Sequence, residues 1–153
     1  YSLLKKSSKE VRRLSHNLAS NVLNKFGLVA ALNDLTEEIN GANTSVTLQV
    51  IGLEERLDST IEKHLFRVVQ ELIGNALKHA EATKISIQII QHDDELNLMV
   101  EDNGVGFNPI NSEKDSGMGM ANMKARIEHL NGEFEIDSSI GKGTTAIVNI
   151  PML

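Results

Sequence analysis

Between residues 59 and 100 the hydrophobic period of this chain switches once, from helical spacing to strict alternation. Leu65, Val68, Val69, Leu72, Ile73, Ala76 and Leu77 make the wide apolar stripe of a helix over 59–80 lying on a core. Ile85, Ile87 and Ile89, then Leu96, Leu98 and Val100, alternate with polar residues on either side of the turn-like Gln91-His92-Asp93-Asp94. A helix with one apolar face and a hairpin with another bury both only by stacking, so the chain is confined to helix-on-sheet architectures. The remaining pattern extends that layering. From Thr44, Val46, Leu48 and Val50 predict a further strand, and strands near 133–138 and 143–150 flank Ile140-Gly141-Lys142-Gly143. A glycine-rich irregular stretch fills 103–117, and a helix over 119–131 closes at Asn131-Gly132. The predicted fold is an α/β two-layer sandwich: a mixed, mostly antiparallel sheet with helices on one face.

Upstream of the sheet the pattern is helical. Leu4, Val11, Leu14 and Leu18 fall on a near-heptad stripe within a helix over 1–25, with Lys5, Lys6, Lys9, Glu10, Arg12 and Arg13 mostly off it. Packing on its own domain and a seam with a second chain satisfy that stripe equally. After Gly27 another helix runs through Leu28, Ala31, Leu32 and Leu35 to a stop at Asn40-Gly41. Composition excludes several classes. The net charge of −6, with no basic stripe, argues against nucleic acid as the main partner. The absence of Cys removes disulfides, thiolate metal sites and Cys nucleophiles, and accords with a reducing cytoplasm. No apolar run approaches the roughly 20 residues of a membrane span. A chain that starts at Tyr1 is expected to be a piece of something longer.

Four stretches carry candidate chemistry. On strand 95–102, Asp102 shares the parity of Leu96, Leu98 and Val100 and so faces the apolar layer, where a carboxylate is costly unless hydrogen-bonded. The Asn103-Gly104-Val105-Gly106-Phe107 loop beyond it gives a backbone able to approach a ligand closely. An inward Asp there can accept from an exocyclic amine; an ordinary Asx turn fits the same residues. On helix 59–80, Glu71, Asn75 and His79 stand at successive i, i+4 positions with Lys78 adjacent. The amide oxygen of Asn75 suits Mg²⁺, and a solvated helix face suits the same spacing. Gly117-Met118-Gly119-Met120 opens the helix at 119, where free N–H groups meet anions, although neither the dinucleotide fingerprint nor a P-loop is present. Thr144 shares parity with Ala146, Val148 and Ile150, so its hydroxyl faces the layer that holds Asp102.

The order of these motifs is more specific than any one of them. Glu71-Leu-Ile-Gly-Asn75-Ala-Leu-Lys78-His79-Ala80 resembles the N box of the GHKL nucleotide-binding superfamily, shared by gyrase, the heat-shock chaperone ATPase, histidine kinases and mismatch-repair ATPases. Asp102-Asn-Gly-Val-Gly106-Phe is similar to its first glycine box, Gly117-Met-Gly-Met-Ala-Asn122-Met to the second, and Gly141-Lys-Gly-Thr144 to the third. The resemblance covers residues 44–153. Lys78-His79-Ala80 and the run from Gly117 to Arg126 resemble in particular sensor kinases that pair with NarL-type response regulators. Glu10-Val-Arg-Arg-Leu-Ser-His16-Asn-Leu18 and Phe26-Gly-Leu-Val-Ala-Ala-Leu32 look like the second dimerisation helix of that group and its junction with the catalytic domain.

The resemblance implies an organisation and a set of roles. Residues 1–25 would end a dimerisation and phosphotransfer helix, 26–43 would connect, and 44–153 would bind ATP·Mg²⁺. Asp102 would accept from the adenine amine, with Thr144 assisting through water; Asn75 would hold Mg²⁺, and Glu71 would reach its water shell. Lys78 and His79 would lie near the phosphates, and Gly104 and Gly106 would let the backbone approach. Gly117, Gly119 and Met120 would belong to a lid whose body is residues 108–116. His16 is followed by Asn17 rather than an acidic residue, so the phosphoacceptor histidine is expected outside this chain. The implied partners are ATP or ADP, a NarL-type response regulator and a second copy in the full-length protein, with this domain cytoplasmic. An anti-sigma-type Ser/Thr kinase on the same fold, a non-catalytic nucleotide sensor and a hydrolytic clamp are the competing classes; the segment from Arg12 to Leu32 disfavours the first.

Overall fold

The computed structural model describes residues 18–41, 43–108 and 117–152. Along the chain lie α1 (residues 18–26), α2 (Leu28–Ile39), β1 (Ser45–Ile51), α3 (Ser59–Lys78), β2 (Lys84–Gln91), β3 (Glu95–Asp102), α4 (Gly117–His129), β4 (Glu133–Ser138) and β5 (Thr144–Pro151). Five strands form one sheet in the order β1-β2-β3-β5-β4. β1 runs parallel to β2, because α3 crosses over between them, and every other pairing is antiparallel. The sheet is therefore mixed and mostly antiparallel. The predicted seam positions Leu4, Val11 and Leu14, together with His16 and lid residues 109–116, lie outside the described residues.

Register follows the hydrophobic alternation. Val46 pairs with Ile85, Ile87 with Val100, Leu98 with Val148, and Phe134 with Val148 on its other side. A slip of one residue would turn each of these side chains to the opposite face, which fixes the pairing. The buried face of the sheet, with Ile85, Ile87, Ile89, Leu96, Leu98, Val100, Ala146, Val148 and Ile150, forms one core with Leu65, Phe66, Val68, Val69, Leu72, Ile73 and Ala76 of α3. Leu28, Ala31 and Leu32 of α2 and Met123 and Ile127 of α4 belong to the same core. Leu77 does not: it is 37% exposed, so the apolar stripe of α3 ends one residue earlier than its sequence pattern implies.

The helix ends are set by identifiable side chains. Asp58 caps α3 by accepting from the Thr60 N–H at 2.9 Å. At the break between α1 and α2, Gly27 offers no side-chain cap, and the cap comes from α3 instead. The buried Glu62 accepts the Leu28 N–H at 2.9 Å and pairs with Arg56 at 2.8 Å. Arg56 in turn donates to the Leu23 and Asn24 carbonyls, each at 3.3 Å, and to Lys25 at 3.4 Å. One ion pair thus satisfies the carbonyl end of α1 and the N–H end of α2. Asn40 ends α2 in an extended conformation, and its carboxamide bonds both the N–H and the carbonyl of Val46 at 3.0 Å. The helix expected over 119–131 spans Gly117–His129; left-handed Asn131 (φ 58°) and the bond from Gly132 N–H to the Ile127 carbonyl close it.

Candidate functional site

α3, the end of β3, the start of α4 and the β4–β5 hairpin enclose a cavity of about 450 Å³. Asn75 and Glu71 reach it from α3, Asp102 and Val100 from β3, Gly119 and Met120 from α4, and Thr144 from β5. The wall is apolar where Leu72, Ala76, Val100 and Ile136 meet and polar at both ends, the composition of a small-molecule site.

Asp102 and Thr144 are cross-strand partners, which is why the two side chains of matching parity arrive in one place. The Asp102 carboxylate accepts the Gly104 N–H at 2.8 Å. Burial raises its pKa above the ordinary value of 3.8, hydrogen bonds from the backbone of Gly104 and Thr144 pull it back, and the charge of Glu101 adds to the rise. The group is an acceptor whose desolvation is only partly offset, as expected of a carboxylate facing a ligand-sized space.

The loop after Asp102 is held from two sides. Val105 N–H donates to the Ala80 carbonyl at 2.8 Å, and Gly141 N–H donates to the Val105 carbonyl at 2.6 Å. Gly104 packs against Ala80, where a Cβ would meet the Ala80 methyl and carbonyl; the residue serves the contact with α3 and does not line the cavity. Gly106 does line it, at φ 69°, where an added Cβ would fall on the Ser139 carbonyl. A side chain there would face both an unfavoured left-handed backbone and a clash. Ser138 locks the same region: its hydroxyl accepts from Phe107 N–H, donates to the Gly143 carbonyl, and lies against the Thr144 hydroxyl, each at 2.9 Å. Thr144 thus contacts Ser138, a residue without a sequence signal of its own. Asn103 ties the loop to β2, accepting from Thr83 and Lys84 N–H at 2.9 Å.

Of the residues singled out in the sequence, Glu71, Asn75, His79, Asp102, Gly106, Gly119, Met120 and Thr144 converge on the cavity. Lys78 is exposed at the end of α3 and lies off the wall, as does Gly104. Gly119 sits so close to Glu71 that a Cβ would fall 2.5 Å from Glu71 Oε1. The Asn75 carboxamide makes no side-chain hydrogen bond among the described residues. Those residues contain no cluster of three His, Cys, Asp or Glu able to hold a metal alone. One amide oxygen with a carboxylate a turn away does not suit an all-protein zinc or calcium cage. It does fit Mg²⁺, which keeps waters and phosphate oxygens in its shell.

Comparisons with known proteins accord with this geometry. Residues 60–153 match the family described as histidine kinase-, DNA gyrase B-, and HSP90-like ATPase. The chain is 33% identical over 153 residues to the signal transduction histidine-protein kinase/phosphatase DegS of Brevibacillus brevis, covering 98% of this chain and 39% of that protein. It is 37% identical over 137 residues to DegS of Bacillus subtilis, covering 85% of this chain and 35% of that protein. The chain therefore spans less than two-fifths of either relative. The histidine kinase domain of the blue-light activated histidine kinase from Erythrobacter litoralis EL346 shares the fold. It has a TM-score of 0.64 and 22% identity, covering 81% of this chain and 64% of that one. With the family match extending from α3 to the end of β5 and enclosing the cavity, the chain belongs to the histidine kinase-, DNA gyrase B-, and HSP90-like ATPase family.

Proposed function

We propose that this chain is the ATP·Mg²⁺-binding catalytic domain of a two-component sensor histidine kinase. It would donate the γ-phosphoryl group to a histidine outside residues 1–153, from which it passes to a response regulator. The observation that carries the reading is the convergence of Asn75, Asp102, Gly106, Gly119 and Thr144, from four separate stretches of sequence, on one cavity. The curated relatives, named as histidine-protein kinases, support the activity proposed for the parent protein.

In this reading the adenine lies at the Asp102 end, where the carboxylate accepts from the exocyclic amine. The Thr144 hydroxyl, which can donate and accept at once, reaches the base through water while keeping its contact with Ser138. The phosphates extend towards α3 and the start of α4, near His79 and, beyond the wall, Lys78. Asn75 would hold magnesium directly and Glu71 would hold its water shell; when bound, the metal supplies charge neutralisation at the phosphate oxygens. The chain's own part is to bind and orient the donor, because phosphoryl transfer asks mainly for positioning and electrostatic stabilisation. Residues 108–116 would cover the triphosphate. Residues 1–25 would end the helix that pairs two copies in the full-length protein, whose regulator is of the NarL type and whose catalytic domain is cytoplasmic.

Incubation with radiolabelled ATP tests the division of labour. The chain alone should stay unlabelled, while the parent protein should carry label on a histidine outside these residues. Label on His16 would contradict the assignment.

A further inference from the structure

Arg56 grips the end of α1 from a point that is itself fixed. It lies on the crossover from β1 to α3, between Leu53, which packs against the core, and Leu57, which belongs to it. Its Nη2 donates to the Leu23 and Asn24 carbonyls and to Glu62 Oε1, and its Nη1 donates to the Lys25 carbonyl. Three consecutive carbonyls at the negative end of a helix are thus held by one cation. The side chains of α1 add less. Leu23 is the only one of them buried among the described residues, while Leu18 and Phe26 are 63% and 61% exposed.

The joint is tight. Gly27 sits at φ 94°, and a Cβ there would fall 2.9 Å from both Arg56 Nε and Glu62 Oε2, so the break between α1 and α2 closes directly on the ion pair. The Glu62 side chain is only 4% exposed and also takes the Leu28 N–H, so α1, α2 and α3 meet at one carboxylate. A planar guanidinium whose donors point in fixed directions sets an angle as well as a charge, which a flexible ammonium does not. Glu62 shares α3 with the cavity residues Glu71 and Asn75, so the angle of α1 is referred to the helix that carries them.

We propose that Arg56 is a positioning residue for phosphoryl transfer. By fixing the direction in which α1 leaves α3, it sets where a nucleotide in the cavity lies relative to the segment that α1 continues. The proposal rests on the kinase reading above, in which residues 1–25 end the dimerisation helix.

Two variants separate this role from support of the fold. Glu62→Gln keeps an acceptor for the Leu28 N–H and leaves Arg56 on the α1 carbonyls. Combining it with Arg56→Ala removes the guanidinium without stranding a buried carboxylate. In the chain, amide hydrogen exchange at residues 22–26 should quicken about tenfold or more in the double variant relative to Glu62→Gln, with α3 and β3 unchanged. ATP affinity should stay within about twofold. In the parent protein, the rate of histidine labelling at saturating ATP should fall about tenfold or more in the double variant, with KM for ATP within about twofold. Unchanged exchange in α1, an unchanged labelling rate, or a KM that rises as the rate falls would overturn the positioning role. An unaltered parent protein that takes no label sinks the kinase reading, and the exchange rates then decide whether Arg56 fixes α1.

Discussion

Asp102 ends β3 opposite Thr144, with its carboxylate on the Gly104 N–H and its free face on the cavity. Its placement was legible from parity alone, since the strand period is two and the side chains of Leu96, Leu98 and Val100 had to be buried. The role of Ser138 was not legible. Its hydroxyl meets Phe107, 31 residues away in sequence, only after the hairpin and the glycine loop have docked. Asn103 resembled a turn former in the sequence, and its double acceptance from Thr83 and Lys84 appears only when β2 and β3 pair. Asn75 illustrates the reverse case: a poor helix former in mid-helix that lines the cavity and whose carboxamide has no internal partner among the described residues. Replacing it with Ala should remove the magnesium-dependent part of ATP affinity, by about tenfold or ~1.4 kcal/mol, with metal-free binding retained. Titrations with and without magnesium measure this, and a preserved metal dependence would remove Asn75 from the metal site.

Among the elements, the sheet's alternation and the helix stripes were visible in the sequence, but the neighbours of each strand were not. The parallel pairing of β1 with β2 comes from the α3 crossover, and the insertion of β5 between β3 and β4 from packing of the last hairpin. Nor did a first-turn acid on α3 announce that Glu62 would be buried, capping α2 while Arg56 caps α1. Glu62→Ala should cost about 1–3 kcal/mol, because it leaves the buried Leu28 N–H unsatisfied. Glu62→Gln, which keeps an acceptor, should cost less in the same denaturant titration; equal costs would mean the amide cap contributes nothing. The contact of α3 with α4 carries a pH signature. His64 has a lowered pKa in the folded chain, so its contribution to stability is present above the ordinary value of 6.5. That contribution is lost as pH falls below 6.5 and levels off once the folded form also protonates. Thermal unfolding of His64→Gln across this range should show a shallower acid decline than the unaltered chain, and parallel curves would exclude His64 as a source.

At the level of the whole molecule, motifs spread from Glu71 to Thr144 become one site because α3, β3, α4 and β5 share a single core. The Asp102 end of the cavity is built on sheet and hairpin, whereas the Asn75 end is built on two helices that meet at Glu71 and Gly119. The central claim is that this cavity binds adenine nucleotides through Asp102. Calorimetry of ATP and ADP against the unaltered chain and Asp102→Ala tests it most directly. The account predicts that the unaltered chain binds both nucleotides and that the variant loses about 1.5–3 kcal/mol of affinity for each, the range for a hydrogen bond to a charged group. Equal affinities in the two proteins would contradict it.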